Sequence, residues 1–121
     1  MRRVAAAAAA LVLGGGLLMT ASPAQAATGA VTGLAGKCMD VAAANSADGT
    51  QVQLYDCNGT NAQQWTRSGD GTLRALGKCL DVSGGSVADG ARVQLWTCNG
   101  SGAQQWTYTS RKELVVYGNK C

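Results

Sequence analysis

Residues 36–65, GKCMDVAAANSADGTQVQLYDCNGTNAQQW, are written a second time at residues 77–106 as GKCLDVSGGSVADGARVQLWTCNGSGAQQW. Of the 30 aligned positions, 18 are identical, and the offset is 41 residues throughout, so no insertion separates the two copies. A third copy begins at residues 118–121, where GNKC stands in the place of GKC. A fixed period of this size indicates a fold built from one supersecondary unit used several times.

The segment before the repeat has the pattern of a secretory signal peptide. Arg2 and Arg3 precede an apolar run over residues 4–19, which is followed by the small-residue triplet at 24–26. Such an order is typical of a leader that is cleaved after an A-x-A site, and a bilayer span needs roughly 20 apolar residues. We therefore expect a signal peptide over 1–26, a mature domain over 27–121, a secreted, extracellular protein and no membrane anchor.

The charge balance gives no reason to expect a nucleic acid or an anionic membrane as partner. Without the two leader arginines, 8 basic residues face 7 acidic ones. A nearly neutral chain lacks the basic surface that such partners require. The 95 residues that follow position 26 fit one small domain, and a core of that size usually needs covalent or oligomeric support.

The repeat itself has the pattern of β-strands. Val52 and Leu54 alternate with Gln53 and Tyr55, as residues 93–96 do in the second copy, which predicts a strand with one buried face. A second short strand is predicted at 37–41, with turns at the Asp-Gly pairs 48–49 and 89–90 and at the Asn-Gly pairs 58–59 and 99–100. No helical period follows the leader, so we predict an all-β domain of short hairpins.

The cysteines are expected to form disulfides within each copy. Four cysteines allow three pairings, and the repeat symmetry permits Cys38–Cys57 and Cys79–Cys98, which link neighbouring strands and close equal loops. Cys121 then has no partner. There is no histidine and no C-x-x-C pair, so neither a metal site nor a cofactor is expected.

These motifs resemble those of the ricin B-type lectins, also called family-thirteen carbohydrate-binding modules. The resemblance rests on CMDV and CLDV at 38–41 and 79–82, on VQLY and VQLW at 52–55 and 93–96, and on the Q-x-W signature at 63–65 and 104–106. It implies a β-trefoil of three repeats around a pseudo-threefold axis. Here the trefoil is expected to be incomplete, with repeats at about 31–70 and 71–111 and a third beginning at 112–121.

The resemblance implies one shallow sugar pocket in each repeat. An ionised Asp accepts strong hydrogen bonds from sugar hydroxyls, and an exposed aromatic covers the C–H face of a sugar ring. The family has Asn as a hydroxyl partner where this chain has Ala62 and Ala103, whereas the Trp of Q-x-W is expected in the core. The carbohydrate-binding residues implied are Asp40, Gln53, Tyr55, Asn58 and Gln63 in the first copy, and Asp81, Gln94, Trp96, Asn99 and Gln104 in the second.

We therefore expect a secreted module that binds galactose-, arabinose- or xylose-containing glycans, a fragment or relative of those appended to glycoside hydrolases. An enzyme is not expected, because without histidine the usual triads lack a base and Glu113 is the only glutamate. The alternative is a trefoil that binds protein and has no lectin activity. A homo-oligomer formed through the unclosed trefoil or through Cys121 is also open.

Overall fold

The computed structural model describes residues 27–121, which form nine strands and five three-residue 3-10 turns. The leader predicted at 1–26 lies outside the described residues. Within 27–121, no helix has the length and apolar character needed to cross a membrane. The strands are β1 (Ala27–Gly29), β2 (Cys38–Val41), β3 (Val52–Tyr55), β4 (Trp65–Arg67), β5 (Leu73–Ala75), β6 (Lys78–Val82), β7 (Val93–Trp96), β8 (Trp106–Tyr108) and β9 (Leu114–Val116).

The two copies of the repeat fold in the same way. In the first copy β2 pairs antiparallel with β3, and in the second β6 pairs with β7, with registers that differ by the 41-residue period. A 3-10 turn follows the first strand of each hairpin, at Ala42–Ala44 and Ser83–Gly85, and another precedes each Q-x-W tryptophan, at Asn61–Gln63 and Gly102–Gln104. The prediction of short hairpins without a long helix is confirmed for the described residues.

A hairpin that the sequence analysis did not predict joins the copies. Strands β5 and β6 pair directly through a two-residue turn at Leu76 and Gly77, both of which have positive φ (52° and 77°). Positive φ at both central positions is the geometry of a type I′ turn, whose twist matches that of the flanking strands. The sequence pattern does not predict this turn, because Leu is an uncommon residue at positive φ.

The strands form three sheets, of which the largest crosses from one copy to the other. Its order is β1-β4-β5-β6-β7, while β2-β3 and β8-β9 form two-stranded sheets. The main core lies between the copies and contains Val41, Trp65, Leu73, Leu80 and Leu95, each at most 1% exposed. A second cluster comprises Val82, Ala103 and Val116.

Each copy is also closed by a disulfide. Cys38 bonds to Cys57 and Cys79 to Cys98, with Cα–Cα separations of 5.0 and 5.1 Å. The pairing predicted from the repeat symmetry is therefore confirmed. Cys121 is exposed and makes no disulfide within residues 27–121.

The contacts between the first and second copies begin to recur between the second and third. The Nζ of Lys78 lies 2.9 Å from Oδ1 of Asp48, and the Nζ of Lys120 lies 2.7 Å from Oδ1 of Asp89, the residue that follows Asp48 by one period. Strand β9 and the bridge between Val116 and Lys120 supply the first part of the third copy. The described residues thus contain two full copies and the start of a third.

The burial of one leucine differs sharply between the copies. Leu95 is 0% exposed, because the loop of the first copy covers it: its carbonyl accepts from the N–H of Gly49 and its N–H donates to the carbonyl of Thr50, both at 2.8 Å. Leu54, its equivalent, is 53% exposed. The expectation that Leu54 lies on a buried face is therefore wrong, because no loop covers it within the described residues.

We expect acid to weaken the contact that Asp48 of the first copy makes with the second copy. Hydrogen bonding to Lys78 holds the pKa of Asp48 below its ordinary value, and bonds from the N–H and hydroxyl of Thr97 act in the same direction. Since the pKa is lower in the folded state, the ionised carboxylate contributes stability above its unfolded pKa of about 3.9, and this is lost as pH falls through the folded value.

Thermal unfolding midpoints between pH 6 and pH 2 test this expectation. Asp48→Asn should flatten the fall of the midpoint below about pH 4 relative to the parent chain. An unchanged acid dependence in Asp48→Asn would contradict the role given to this carboxylate.

Candidate functional site

Asp40 and Asp81 occupy the same place in the two hairpins. Each lies one residue before the end of its strand, directly opposite a glutamine of the partner strand: Asp40 opposite Gln53 and Asp81 opposite Gln94. Opposite side chains of an antiparallel pair share a face and lie within contact distance. The glutamine Nε2 accordingly donates to the aspartate Oδ1, at 3.1 Å in the first copy and 3.0 Å in the second.

A second glutamine, from the Q-x-W signature, fixes the other carboxylate oxygen. Nε2 of Gln63 donates to Oδ2 of Asp40 at 2.9 Å, and Nε2 of Gln104 donates to Oδ2 of Asp81 at 2.8 Å. The amide oxygens accept from the backbone N–H of Asn58 and Asn99, both at 2.9 Å. Because these two glutamines are at most 1% exposed, the network holds each carboxylate in one orientation.

The tryptophan two residues later anchors the backbone beside the aspartate. Nε1 of Trp65 donates to the carbonyl of Met39 at 2.9 Å, and Nε1 of Trp106 donates to that of Leu80 at 3.0 Å. Trp65 is 1% exposed, which confirms the core position predicted for it, whereas Trp106 is only partly buried. The Q-x-W signature therefore holds the aspartate twice, through its carboxylate and through its neighbouring carbonyl.

An aromatic side chain ends the second strand of each hairpin. Tyr55 is 53% exposed and Trp96 is 38% exposed, and each lies two residues beyond the glutamine that faces the aspartate. Residues two apart on a strand point to the same face. The ring therefore stands beside the carboxylate, with a large part of its surface in solvent.

Asn58 and Asn99 are partly committed to their own turns. Oδ1 of Asn58 accepts from the N–H and hydroxyl of Thr60, at 3.1 and 2.8 Å, and Oδ1 of Asn99 accepts from the N–H of Ser101 at 3.0 Å. The amide oxygen thus shapes the loop, and the Nδ2 group is the end of this side chain that remains to donate to a ligand.

In the second copy these groups line one open cleft of about 630 Å³. Gly84 and Gly85 border it with positive φ (65° and 64°), where the first copy has Ala43 and Ala44 at 55° and 53°. Alanine at positive φ is unfavourable, so this turn costs less in the second copy than in the first. The other residues of the cleft include Asp81, Gln94, Trp96, Asn99, Ala103 and Tyr117.

The two buried aspartates differ in their surroundings from the exposed ones. Lys37 beside Asp56 and Lys120 beside Asp89 hold the pKa of those carboxyls below the usual range. Within residues 27–121, Asp40 and Asp81 are 6% exposed and form no ion pair, so only amide groups contact their oxygens. No group of three or more His, Cys, Asp or Glu side chains in this part of the chain is placed to hold a metal ion.

One residue of the second cleft, Tyr117, was absent from the sequence-based prediction. It belongs to the first turn of the third copy, one period after Leu76 and directly before Gly118. Its position in the period was visible in the sequence. Its contact with the second cleft depends on how consecutive copies pack, which no local pattern contains.

Buried carboxylates held by amides, each beside an exposed aromatic and repeated in a β-fold of equal copies, define a lectin-type domain. A model of the ricin-type beta-trefoil lectin domain matches residues 27–121. The chain therefore belongs to the family of ricin-type β-trefoil lectin domains, as the sequence motifs predicted.

Solved structures confirm the β-trefoil fold. An agglutinin from Abrus precatorius superimposes with a TM-score of 0.73 and 26% identity, covering 80% of this chain and 38% of the agglutinin. A non-toxic homologue of type II RIPs from Momordica charantia gives a TM-score of 0.69 and 33% identity, covering 79% of this chain and 36% of that one.

A curated relative carries a similar segment within a much longer protein. A glucan endo-1,3-beta-glucosidase of Cellulosimicrobium cellulans is 53% identical over 51 residues, which are 42% of this chain and 9% of the glucosidase. The match thus concerns a small part of that enzyme.

Proposed function

We propose that this chain is a secreted, non-catalytic module that binds galactose-, arabinose- or xylose-containing glycans at the equivalent sites around Asp40 and Asp81, which we call the first and the second cleft. The observation that carries the proposal is the duplication of one arrangement: a carboxylate held by two glutamine amides beside an exposed aromatic.

The hydrogen bonding of each carboxylate suits a ligand with hydroxyl groups. An ionised carboxylate offers about four acceptor sites, and two glutamine amides occupy two of them in each copy. The remaining sites accept hydrogen bonds from adjacent hydroxyls of a sugar, and such charge-assisted bonds are stronger than neutral ones. Because the amides fix the carboxylate in advance, little side-chain entropy is lost when the ligand binds.

The exposed aromatics suit the other half of a sugar. A pyranose ring has a face of C–H groups, and Tyr55 or Trp96 covers that face at low entropic cost because an aromatic side chain has only two rotatable bonds. The cleft of the second copy is open to solvent, so affinity per site is expected to be modest. Two sites on one chain raise the retention on a polymer by avidity.

Three observations support the sugar class, the module role and the secreted location. The Momordica charantia relative was solved in complex with α-methyl-D-galactoside, and the bacterial relative is a glucosidase of which the matched segment is a small part. By analogy, this chain serves to hold a glycan substrate near a hydrolase. The two disulfides fit an oxidising, extracellular setting.

Retention on immobilised galactose and on insoluble xylan tests the proposal. The purified chain is expected to be retained on at least one of them, and the double variant Asp40→Ala/Asp81→Ala is expected to lose retention, because each cleft loses its only charged acceptor. The matched control is Asp56→Ala/Asp89→Ala, which also removes two carboxylates. The side chains of Asp56 and Asp89 are 81% and 92% exposed, and neither residue is among the predicted carbohydrate-binding residues.

The control should bind like the parent chain. A folded parent chain that is retained on neither glycan would overturn the proposal and favour the protein-binding trefoil. Equal loss in both double variants would show that net charge, and not the two clefts, governs retention.

A further inference from the structure

Tyr117 places a second aromatic ring on the cleft of the second copy. The cleft is lined by both Trp96 and Tyr117, and a carbon placed on the neighbouring Gly102 in the position of a Cβ would stand 3.9 Å from Cε1 of the tyrosine ring. The ring therefore borders the same space as Asp81 and Gln94.

The first copy has an aliphatic side chain at the equivalent place. Leu76 precedes Tyr117 by one period, and both residues have positive φ (52° and 57°) and are followed by glycine. The backbone thus makes the same turn at two positions one period apart.

The packing behind the two side chains is also equivalent. Tyr117 packs against the cluster of Val82, Ala103 and Val116. Leu76 packs against the main core, which contains the residues one period earlier, Val41, Ala62 and Ala75. Leucine and tyrosine therefore occupy matching places, and they differ in the surface that they offer to the cleft.

We propose that the ring of Tyr117 contacts the bound sugar and makes the second cleft the tighter of the two sites. This inference rests on the proposed function. The ring adds an apolar surface for sugar C–H groups to that of Trp96. Leu76 offers the first cleft no such surface.

The ring of Tyr117, and not its hydroxyl, is the part of the side chain that borders the open cleft. Its Oη is buried and has no hydrogen-bond partner among residues 27–121. A buried hydroxyl without a partner destabilises the fold, and it cannot reach a ligand that lies in the open cleft. We therefore assign the contact to the ring carbons.

Single-cleft chains allow the two sites to be compared. Asp40→Ala leaves only the second cleft, and Asp81→Ala leaves only the first. Calorimetric titration with α-methyl-D-galactoside and with xylotriose then gives one affinity for each cleft. The chain with the second cleft is expected to bind at least one of these sugars about three- to tenfold more tightly.

Exchange of the two equivalent residues tests the assignment directly. In the Asp40→Ala chain, Tyr117→Leu is expected to weaken binding about three- to tenfold, and Tyr117→Phe, which keeps the ring, should weaken it less. In the Asp81→Ala chain, Leu76→Tyr should tighten binding. A gain of affinity in the first cleft is a result that loss of folding cannot mimic.

Tyr108→Leu is the control, because Tyr108 does not line the second cleft. The centroid of its ring lies 5.0 Å from the guanidinium carbon of Arg67. It should leave both affinities unchanged. If Tyr117→Leu leaves binding unaltered while Asp81→Ala still abolishes binding in the second cleft, the inference is overturned and the proposed function stands. Equal losses in the Leu and Phe variants would also overturn it, and a parent chain that binds neither sugar would overturn both.

Discussion

Trp65→Ala is expected to lower the free energy of unfolding by about 3–5 kcal/mol, the usual cost of removing a large aromatic from a core. Trp65 is 1% exposed and belongs to the main core cluster, so alanine would leave a cavity that the surrounding strands fill only in part. The substitution also leaves the carbonyl of Met39 without the indole donor at 2.9 Å. Since small domains are stable by about 5–15 kcal/mol, the variant should be close to unfolding at 37 °C.

Trp96→Ala provides the matched comparison, because it removes the same side chain from a site that is 38% exposed. It should cost clearly less than Trp65→Ala, since more than a third of this side chain is already in solvent and less apolar surface is lost from the core. Urea unfolding followed by far-ultraviolet circular dichroism measures both variants. The sugar affinity should show the opposite order, with Trp96→Ala weakening the second cleft in a fully folded chain. A similar loss of stability in the two variants would contradict the division into a structural and a ligand-facing tryptophan.

Removal of the disulfide of the second copy, in Cys79→Ala/Cys98→Ala, is expected to cost about 3 kcal/mol. The bond closes a loop with a sequence separation of 19, and the chain-entropy account gives about that value for a loop of this length. The first copy has a loop of the same length, so Cys38→Ala/Cys57→Ala should lose a similar amount. Both cysteines are replaced in each variant, so no new free thiol is left.

Cys121→Ser is the control for these variants, because Cys121 is exposed and outside both disulfides. It should leave the urea midpoint unchanged. The disulfide variants should unfold at clearly lower urea, with the loss reported by the midpoint and the slope. If either disulfide could be removed without a fall in the free energy of unfolding, the idea that both disulfides stabilise this small core would be wrong.

The comparison of the two tryptophans separates a side chain that stabilises the fold from one that we propose contacts the sugar. The Q-x-W signature takes part in both the fold and the site: Trp65 belongs to the core, and Nε2 of Gln63 donates to the carboxylate of Asp40. Under the proposed function, a carboxylate held in one orientation binds a sugar without reordering of the surrounding side chains.

Much of this architecture follows from local and repeated patterns in the sequence. The period of 41 residues predicts equal copies, the alternation at 52–55 and 93–96 predicts strands, and the equal spacing of the cysteines favours the two disulfides that are present. The aspartates and glutamines came together as their motifs predicted, because cross-strand pairs and a short turn place them within a single copy.

What the tertiary structure alone decides is how the copies cover one another. Leu54 and Leu95 have the same local sequence, yet one is 53% and the other 0% exposed, because the loop of another copy lies over only the second. Likewise, Tyr117 reaches the second cleft from the third copy. Local patterns determine the strand, the turn and the face of each residue. Burial, and sites shared between copies, depend on contacts between segments that lie one period apart. An alternating pattern within a strand does not contain that information.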